Sequence, residues 1–192
     1  SSDLGGILSL YAASTFNGEE DRIIKVYSFD GPGLKNGFTS TSGYLAIKDK
    51  ILKFKPYDSL FGALLDEDRE YKIIKANNSF LQSHSPYNWE ISGNDFVFLS
   101  SESSRSLKIA DDLNKFFNET EDHLLEEYTN KIFNVLSINN IEYISQFNNS
   151  PFVLLQLGQV VSQFDPKSRQ SVMKIVTEIM TINSLANKSS QI

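Results

Sequence analysis

Ile23-Ile24-Lys25-Val26-Tyr27-Ser28-Phe29, closed by Asp30-Gly31-Pro32-Gly33, is the stretch on which the fold turns. Its β-branched and aromatic residues favour a strand, and the Asp-Gly-Pro-Gly run makes the chain turn after it. Upstream, Gly6 to Phe16 carries Ile7, Leu8, Leu10, Tyr11 and Ala12 on a broad apolar face, the pattern of a buried helix. Downstream, Ile51-Leu52-Lys53-Phe54-Lys55 ends at Pro56, and Tyr71-Lys72-Ile73-Ile74-Lys75 runs into a polar loop. Phe96-Val97-Phe98-Leu99 reads as a short edge strand. Strands separated by helical stretches predict right-handed crossovers and a parallel sheet, so the expected fold class is α/β.

Strand signals stop near Ser104. Leu107, Ile109, Leu113 and Phe116-Phe117 keep helical spacing, as do Leu124-Leu125, Tyr128, Ile132-Phe133 and Val135-Leu136. Asp165-Pro166 opens a last helix with an N-cap Asp and Pro at the first helical position, and Val172, Ile175, Val176, Ile179 and Met180 line one face of it. The expected organisation is therefore an α/β core over residues 1–103 and a packed helical appendage over 104–192. The Asn-rich stretches at Asn139-Asn140 and Asn148-Asn149 read as loops, and there is no internal repeat.

Composition bounds the function. A chain of 192 residues, 40% hydrophobic and 22% charged, can bury a sizeable core. A net charge of −6 argues against nucleic acid or an anionic membrane surface as main partner, since both need a basic footprint. The absence of cysteine excludes disulfides, thiolate-bound metal and a thiol nucleophile, and it fits a cytoplasmic protein. Two histidines far apart do not make a His-rich metal site, and no metal or organic cofactor is expected. No apolar stretch reaches the roughly 18 residues of a membrane span.

Three loops carry the residue types of nucleophilic hydrolysis in a meaningful order. Asp3-Leu4-Gly5-Gly6 precedes the first helix, Asp58 follows the second strand, and His84 follows the third. An acid after one strand and a His after the next is the order in which an α/β-hydrolase delivers its triad, with the nucleophile on the earliest turn. In that chemistry His84 is the general base and a carboxylate fixes its tautomer and supports the imidazolium. Asp58 is preferred as the acid because it directly precedes the His strand; Asp30, one strand earlier, is the alternative. The Leu4 backbone N–H, at the start of the helix, is placed to donate to an oxyanion. Each residue also has a structural use: Asp3 as a helix N-cap, Asp30 as a turn former, Asp58 as the cap of a helix from Ser59 to Leu65. His123, beside Glu121-Asp122, reads as a solvated residue. Tyr87 and Trp89 suit either an acyl pocket or the core. The Asn-x-Ser/Thr sequons at Asn118, Asn148 and Asn187 are expected by chance in so Asn-rich a chain.

The residues Asp3 to Ala13 and Arg22 to Gly33 resemble an uncharacterised family of bacterial lipase-like α/β-hydrolases, whose members show a Gly-His-Ser-Lys/Leu-Gly-Gly elbow and then a Phe-Asp-Gly-Pro-Gly turn. Pro56-Tyr57-Asp58-Ser59-Leu60-Phe61-Gly62 resembles the Pro-x-x-Ser-x-Val-Gly loop of that family, and His84-Ser85-Pro86-Tyr87-Asn88-Trp89 its His-Asp-x-Phe-x-Trp segment. The helical tail is similar as well. The resemblance implies the C-terminal part of an α/β-hydrolase-like parallel sheet with an appended α-helical region, and a small acyl ester or lipid-like substrate. Ser1, Ser2 and Asp3 stand where that family has Gly, His and the nucleophilic Ser. A parallel sheet that starts at the Gly6 helix exposes a long edge, so an N-terminal segment or a second chain is expected to complete it.

Three functions follow as expectations. The first is a lipase-like or esterase-like serine hydrolase, inactive as this chain because Asp3 occupies the nucleophile position. The second is a non-catalytic binding or scaffold subunit. The third is a hydrolase that uses Asp3 itself as a carboxylate nucleophile, attacking carbon with loss of a halide or opening of an epoxide to form an ester that a His84-activated water then cleaves.

Overall fold

The first apolar helix packs against the strand after it with Gly6 close to Ser28, and with Leu10 and Val26 in one apolar core. A computed structural model describes residues 3–16, 18, 20–35, 37–65, 68, 70–77, 80–140, 151–174 and 177. It divides the chain into two units, Ser1–Asp111 and Asp112–Ile192. The division falls inside a helix rather than ahead of it, because residues 102–106 are bonded to the loops of the sheet, as described below.

The first unit is mixed α/β. Helix α1 (Asp3–Thr15) precedes β1 (Val26–Phe29), α2 (Ser42–Ile47), β2 (Ile51–Pro56) and β3 (Lys72–Ile74). A hairpin of β4 (Ile91–Ser92) and β5 (Asp95–Phe96) follows, then β6 (Phe98–Leu99). The sheet order is β1-β2-β3-β6. β1, β2 and β3 run parallel, with Val26 opposite Ile51 and Phe54 opposite Lys72, while β6 runs antiparallel to β3. The sheet is thus mostly parallel.

Three sequence expectations change in detail. The strand expected from Ile23 begins only at Val26, where pairing with β2 starts; Ile24 is exposed. The single edge strand expected over Phe96–Leu99 is two short strands, because Val97 bonds Glu90 through its N–H and Lys75 through its carbonyl while its neighbours pair with different partners. The helix expected from Ser59 to Leu65 is one 3-10 turn, Phe61–Ala63, ended by Leu64 in extended conformation, with Leu65 beyond it at φ 53°.

The two sheet faces differ in chemistry. On one, Leu10, Val26 and Ile47 form a core against α1 and α2, with Ala13, Ile23, Leu34 and Ile51 around it. A Cβ on Gly43 would overlap the carbonyl oxygen of Ser14, so α2 reaches α1 only because that residue is glycine. The same face carries Lys53 and Lys55, two residues apart and both buried. Buried ammonium groups need partners. Lys53 pairs with Asp68, which also accepts from the Tyr44 hydroxyl, and Lys55 pairs with Glu102, which accepts from Tyr71. The Tyr71 ring lies 3.5 Å from Lys55 Nζ. The opposite face is aromatic: Phe29 stacks on Phe54 at 5.3 Å, with Trp89, Phe96 and Phe98 around them.

The second unit is helical. It takes the end of α3 (Ser104–Glu119), then α4 (Asp122–Ile138), α5 (Pro151–Ser162) and a further helical stretch over residues 166–174. Tyr128, Val161 and Phe164 form its core with Phe116, Leu124, Ile132, Val160 and Val172. Asp165 caps the last stretch as its sequence implies, accepting from the Lys167 and Ser168 amides at 2.9 and 3.1 Å. Ile175, Val176, Ile179 and Met180, expected on the face of this helix, lie outside the described residues, as do Asn148, Asn149 and Asn187. Asn139 ends α4 and Asn140 adopts φ 51°, so this Asn pair is a turn. Among the described residues no helix is long and apolar enough to cross a membrane.

Candidate active site

The parallel strands deliver Asp30, Asp58 and His84 at their C-terminal ends, the edge of an open α/β sheet where ligands bind. Asp30 follows β1 directly. Its φ of 53° is a left-handed conformation that Asp tolerates better than most residues, and its N–H bonds the Phe54 carbonyl at 2.6 Å. That turn directs the carboxylate into the loop after β2, where only 1% of the residue remains exposed.

A carboxylate buried to that degree needs donors, and Asp30 has three. Oδ1 accepts from the Ser59 hydroxyl and from the Gly62 N–H, the latter at 3.0 Å. Oδ2 faces His84 Nδ1 at 2.8 Å. Since a carboxylate only accepts, the proton of that bond sits on Nδ1, and Nε2 is the basic nitrogen of the neutral ring. Gly62 approaches so closely that a Cβ there would stand 2.6 Å from Asp30 Oδ1.

His84 ends a 3-10 turn, Phe80–His84, and its side chain is 21% exposed. The ring lies 4.6 Å from that of Phe61. Its backbone is held through Ser83, whose hydroxyl donates to the Asp58 carbonyl at 3.2 Å and whose carbonyl accepts from Trp89 Nε1 at 2.7 Å. Trp89 is therefore core, packed on Phe29 and Phe96, whereas Tyr87 is almost fully exposed.

Asp58 is employed elsewhere. Its Oδ1 accepts from the Ser103 hydroxyl and its Oδ2 from Arg105 Nη2. Ser103 in turn accepts from the Ser106 N–H at 3.0 Å, the bond of an N-cap, and its own N–H donates to the Tyr57 carbonyl at 2.9 Å. The preferred pairing of Asp58 with His84 is thus replaced by Asp30 with His84, because both Asp58 oxygens are taken by the start of α3. Nor does Asp58 cap the turn that follows it: there the Ser59 hydroxyl accepts from Gly62 N at 3.0 Å.

Asp3 and Leu4 stand in the first turn of α1, whose N–H groups have no acceptor within the helix. Their side chains lie outside what is described. The helix start nevertheless abuts the Asp30 turn: a Cβ on Gly6 would lie 3.1 Å from the Gly31 Cα and 2.5 Å from Ser28 Oγ. His123 is exposed, 3.3 Å from Glu121, as its acidic neighbourhood implies.

Sequence reasoning passed over Ser59 and Gly62 as functional positions, as well as the Ser103/Arg105 pair. The Ser and Gly of Pro56-Tyr57-Asp58-Ser59-Leu60-Phe61-Gly62 were visible as a motif, but their target, Asp30, lies about 30 residues upstream.

Residues 2–134 match the Mbeg1-like family. The chain belongs to the Mbeg1-like family. The Mbeg1-like region contains Asp30, Asp58, Ser59, Gly62 and His84, the whole sheet, α3 and most of α4. No curated protein and no solved structure matches the chain.

Proposed function

We propose that this Mbeg1-like chain carries the acid–base pair of an α/β-hydrolase-like ester hydrolase, with His84 as general base and Asp30 as the carboxylate that orients it. What supports the reading most is the 2.8 Å contact from His84 Nδ1 to the buried Asp30, which leaves Nε2 as the basic nitrogen. The order of the loops adds support: helix start, acid after one strand, His after a later one. The substrate class that suits this pair is a small acyl ester or lipid-like ester, cleaved by acyl transfer through a covalent intermediate.

The chain as it stands is inactive on esters. Asp3 occupies the nucleophile position, a carboxylate attacks esters poorly, and its charge opposes the developing oxyanion. Loss of a triad nucleophile costs on the order of 10⁶ in turnover.

The test is to install the nucleophile. Asp3→Ser should make the chain react covalently with a fluorophosphonate probe, whereas the parent stays unlabelled. His84→Ala in that background should abolish labelling, and Asp30→Asn should slow it by about 10⁴, the cost of holding a catalytic His in the wrong tautomer. The tautomer argument is specific. Ser59 and Gly62 keep the amide oxygen of the substituted side chain at the Oδ1 position, so its NH₂ faces Nδ1 and the ring proton moves to Nε2. Asp58→Asn should leave labelling within a few-fold. A folded Asp3→Ser variant that fails to label refutes the proposal, as does rapid nitrophenyl ester hydrolysis by the parent chain.

A further inference from the structure

We propose that Trp89 is a positioning residue for the Asp30–His84 pair, a single side chain that sets the separation between the two. The inference rests on the reading of His84 as a base oriented by Asp30. A 2.8 Å contact needs both partners placed to within a few tenths of an ångström, and these two stand 54 residues apart in the chain. Trp89 touches the segment that carries each of them.

On one side its ring packs against that of Phe29, with centroids 6.1 Å apart, and Phe29 is the residue before Asp30. That segment is fixed: Phe29 pairs with Phe54 in the sheet, and the Asp30 N–H bonds the Phe54 carbonyl. On the other side Nε1 donates to the Ser83 carbonyl at 2.7 Å, and Ser83 is the residue before His84. This carbonyl belongs to the planar peptide group that ends at the His84 Cα, so the bond fixes the plane from which the imidazole departs. The base of the indole is held as well. Trp89 forms an antiparallel bridge with Ala76, flanked by the Asn77 N–H on the Asn88 carbonyl and the Glu90 N–H on the Lys75 carbonyl, both at 2.8 Å. Phe96 packs on the same ring at 5.6 Å. Trp89 is 4% exposed and Ser83 is completely buried, so removing the donor leaves a buried carbonyl unmatched, and the turn that holds His84 must shift to satisfy it.

The readout is the solvent exchange of the His84 Nδ1 proton at pH 8. His84 is 21% exposed, so this proton exchanges by local opening rather than by unfolding. With only two histidines, selective ¹⁵N-histidine labelling yields two imidazole signal sets, and exposed His123 serves as the internal reference. Trp89→Phe keeps an aromatic ring against Phe29 and Phe96 but loses the donor. It should speed exchange about tenfold, the scale of one buried hydrogen bond left unmade, with the His123 signals unchanged. Benzothienylalanine at position 89, with sulfur in place of the indole N–H, should do the same. It decides the matter by the same criterion if the phenylalanine variant does not fold, and a single tryptophan confines the replacement to this site. Phe96→Leu is the packing control: it loosens the ring contacts, keeps the donor, and should lower stability without changing the exchange. Unchanged exchange in the folded Trp89 variants overturns the proposal. An equal acceleration in Phe96→Leu overturns it too, because packing and not the indole bond then holds His84. Asp30→Asn separates the proposal from the reading beneath it, since it should remove the protected signal by moving the proton to Nε2. If the parent shows no protected Nδ1 proton, or if Asp30→Asn leaves it in place, the pair itself fails and the role of Trp89 falls with it.

Discussion

Replacing Gly62 by alanine should damage the molecule far more than one added methyl group normally does. The new Cβ would stand 2.6 Å from Asp30 Oδ1, 3.0 Å from Lys55 Cβ and 3.3 Å from Asp30 Cα. None of the three can yield cheaply. Lys55 Cβ belongs to the central strand, and the Asp30 backbone is bonded to Phe54 O at 2.6 Å. The carboxylate is held from one side by Ser59 and from the other by His84. Overpacking a fixed site of this kind costs about 1–3 kcal/mol. Pushing Oδ1 away from the Gly62 amide also sacrifices a hydrogen bond to a charged group, about 1.5–3 kcal/mol. The combined loss should be about 2.5–6 kcal/mol. Trp89, the only tryptophan, is buried against Phe29 and Phe96, so urea unfolding followed by its fluorescence reads the sheet unit directly. Gly158→Ala is the control. It lies in helix α5 with nothing within 4 Å of its added Cβ, and it should stabilise by about 0.5–1 kcal/mol, visible in the far-ultraviolet dichroism of the helical unit. A Gly62→Ala variant within about 0.5 kcal/mol of the parent would show that the Asp30 loop gives way easily, and the steric argument would fail.

Two further predictions concern charge. Glu102→Gln removes the Glu102 charge from beside the buried Lys55 ammonium and should cost about 3–5 kcal/mol by the same fluorescence assay, whereas Lys55→Met combined with Glu102→Leu should recover most of it; equal losses in both would show that the two charges are not coupled. Asp165 is held ionised down to about pH 2, first by the Ser168 hydroxyl and amide and further by Tyr128 and the Lys167 amide, against an ordinary value of 3.8. Because its folded value is the lower one, its contribution is present above about pH 4 and lost as pH falls toward 2. Asp165→Asn keeps the capping oxygen but not the titration. Its thermal midpoint should vary less between pH 5 and 2 than that of the parent, and identical slopes would refute the assignment.

Much of this architecture was legible in the chain because it is local. The residues from Ile7 to Ala12 do lie in a helix, although Leu10 is buried while Leu8 and Tyr11 are exposed, and the Asp165-Pro166 cap acts within one turn. The β-branched runs around Val26, Leu52 and Ile73 are strands for similar reasons, although their ends follow the partner: β1 starts at Val26 because Ile51 is its first neighbour. Loops after parallel strands lie at one edge of a sheet by topology alone, so the order of residues implied that Asp30, Asp58 and His84 share that edge.

The choice between the two carboxylates was not local. Asp30 and Asp58 both follow strands, both precede turns, and position in the chain favours the later one. Asp58 is withdrawn from His84 by Ser103 and Arg105, which lie 45 and 47 residues further on. Asp30 is brought to His84 across 54 residues, and it fits only because Ser59 supplies a proton and Gly62 supplies no side chain. Periodicity and turn chemistry act over a few residues, so the sequence by itself determined which elements form and which residue types stand at the sheet edge. Hydrogen bonds require positions good to a few tenths of an ångström among groups far apart in the chain, and only the tertiary structure decided which carboxylate holds the histidine.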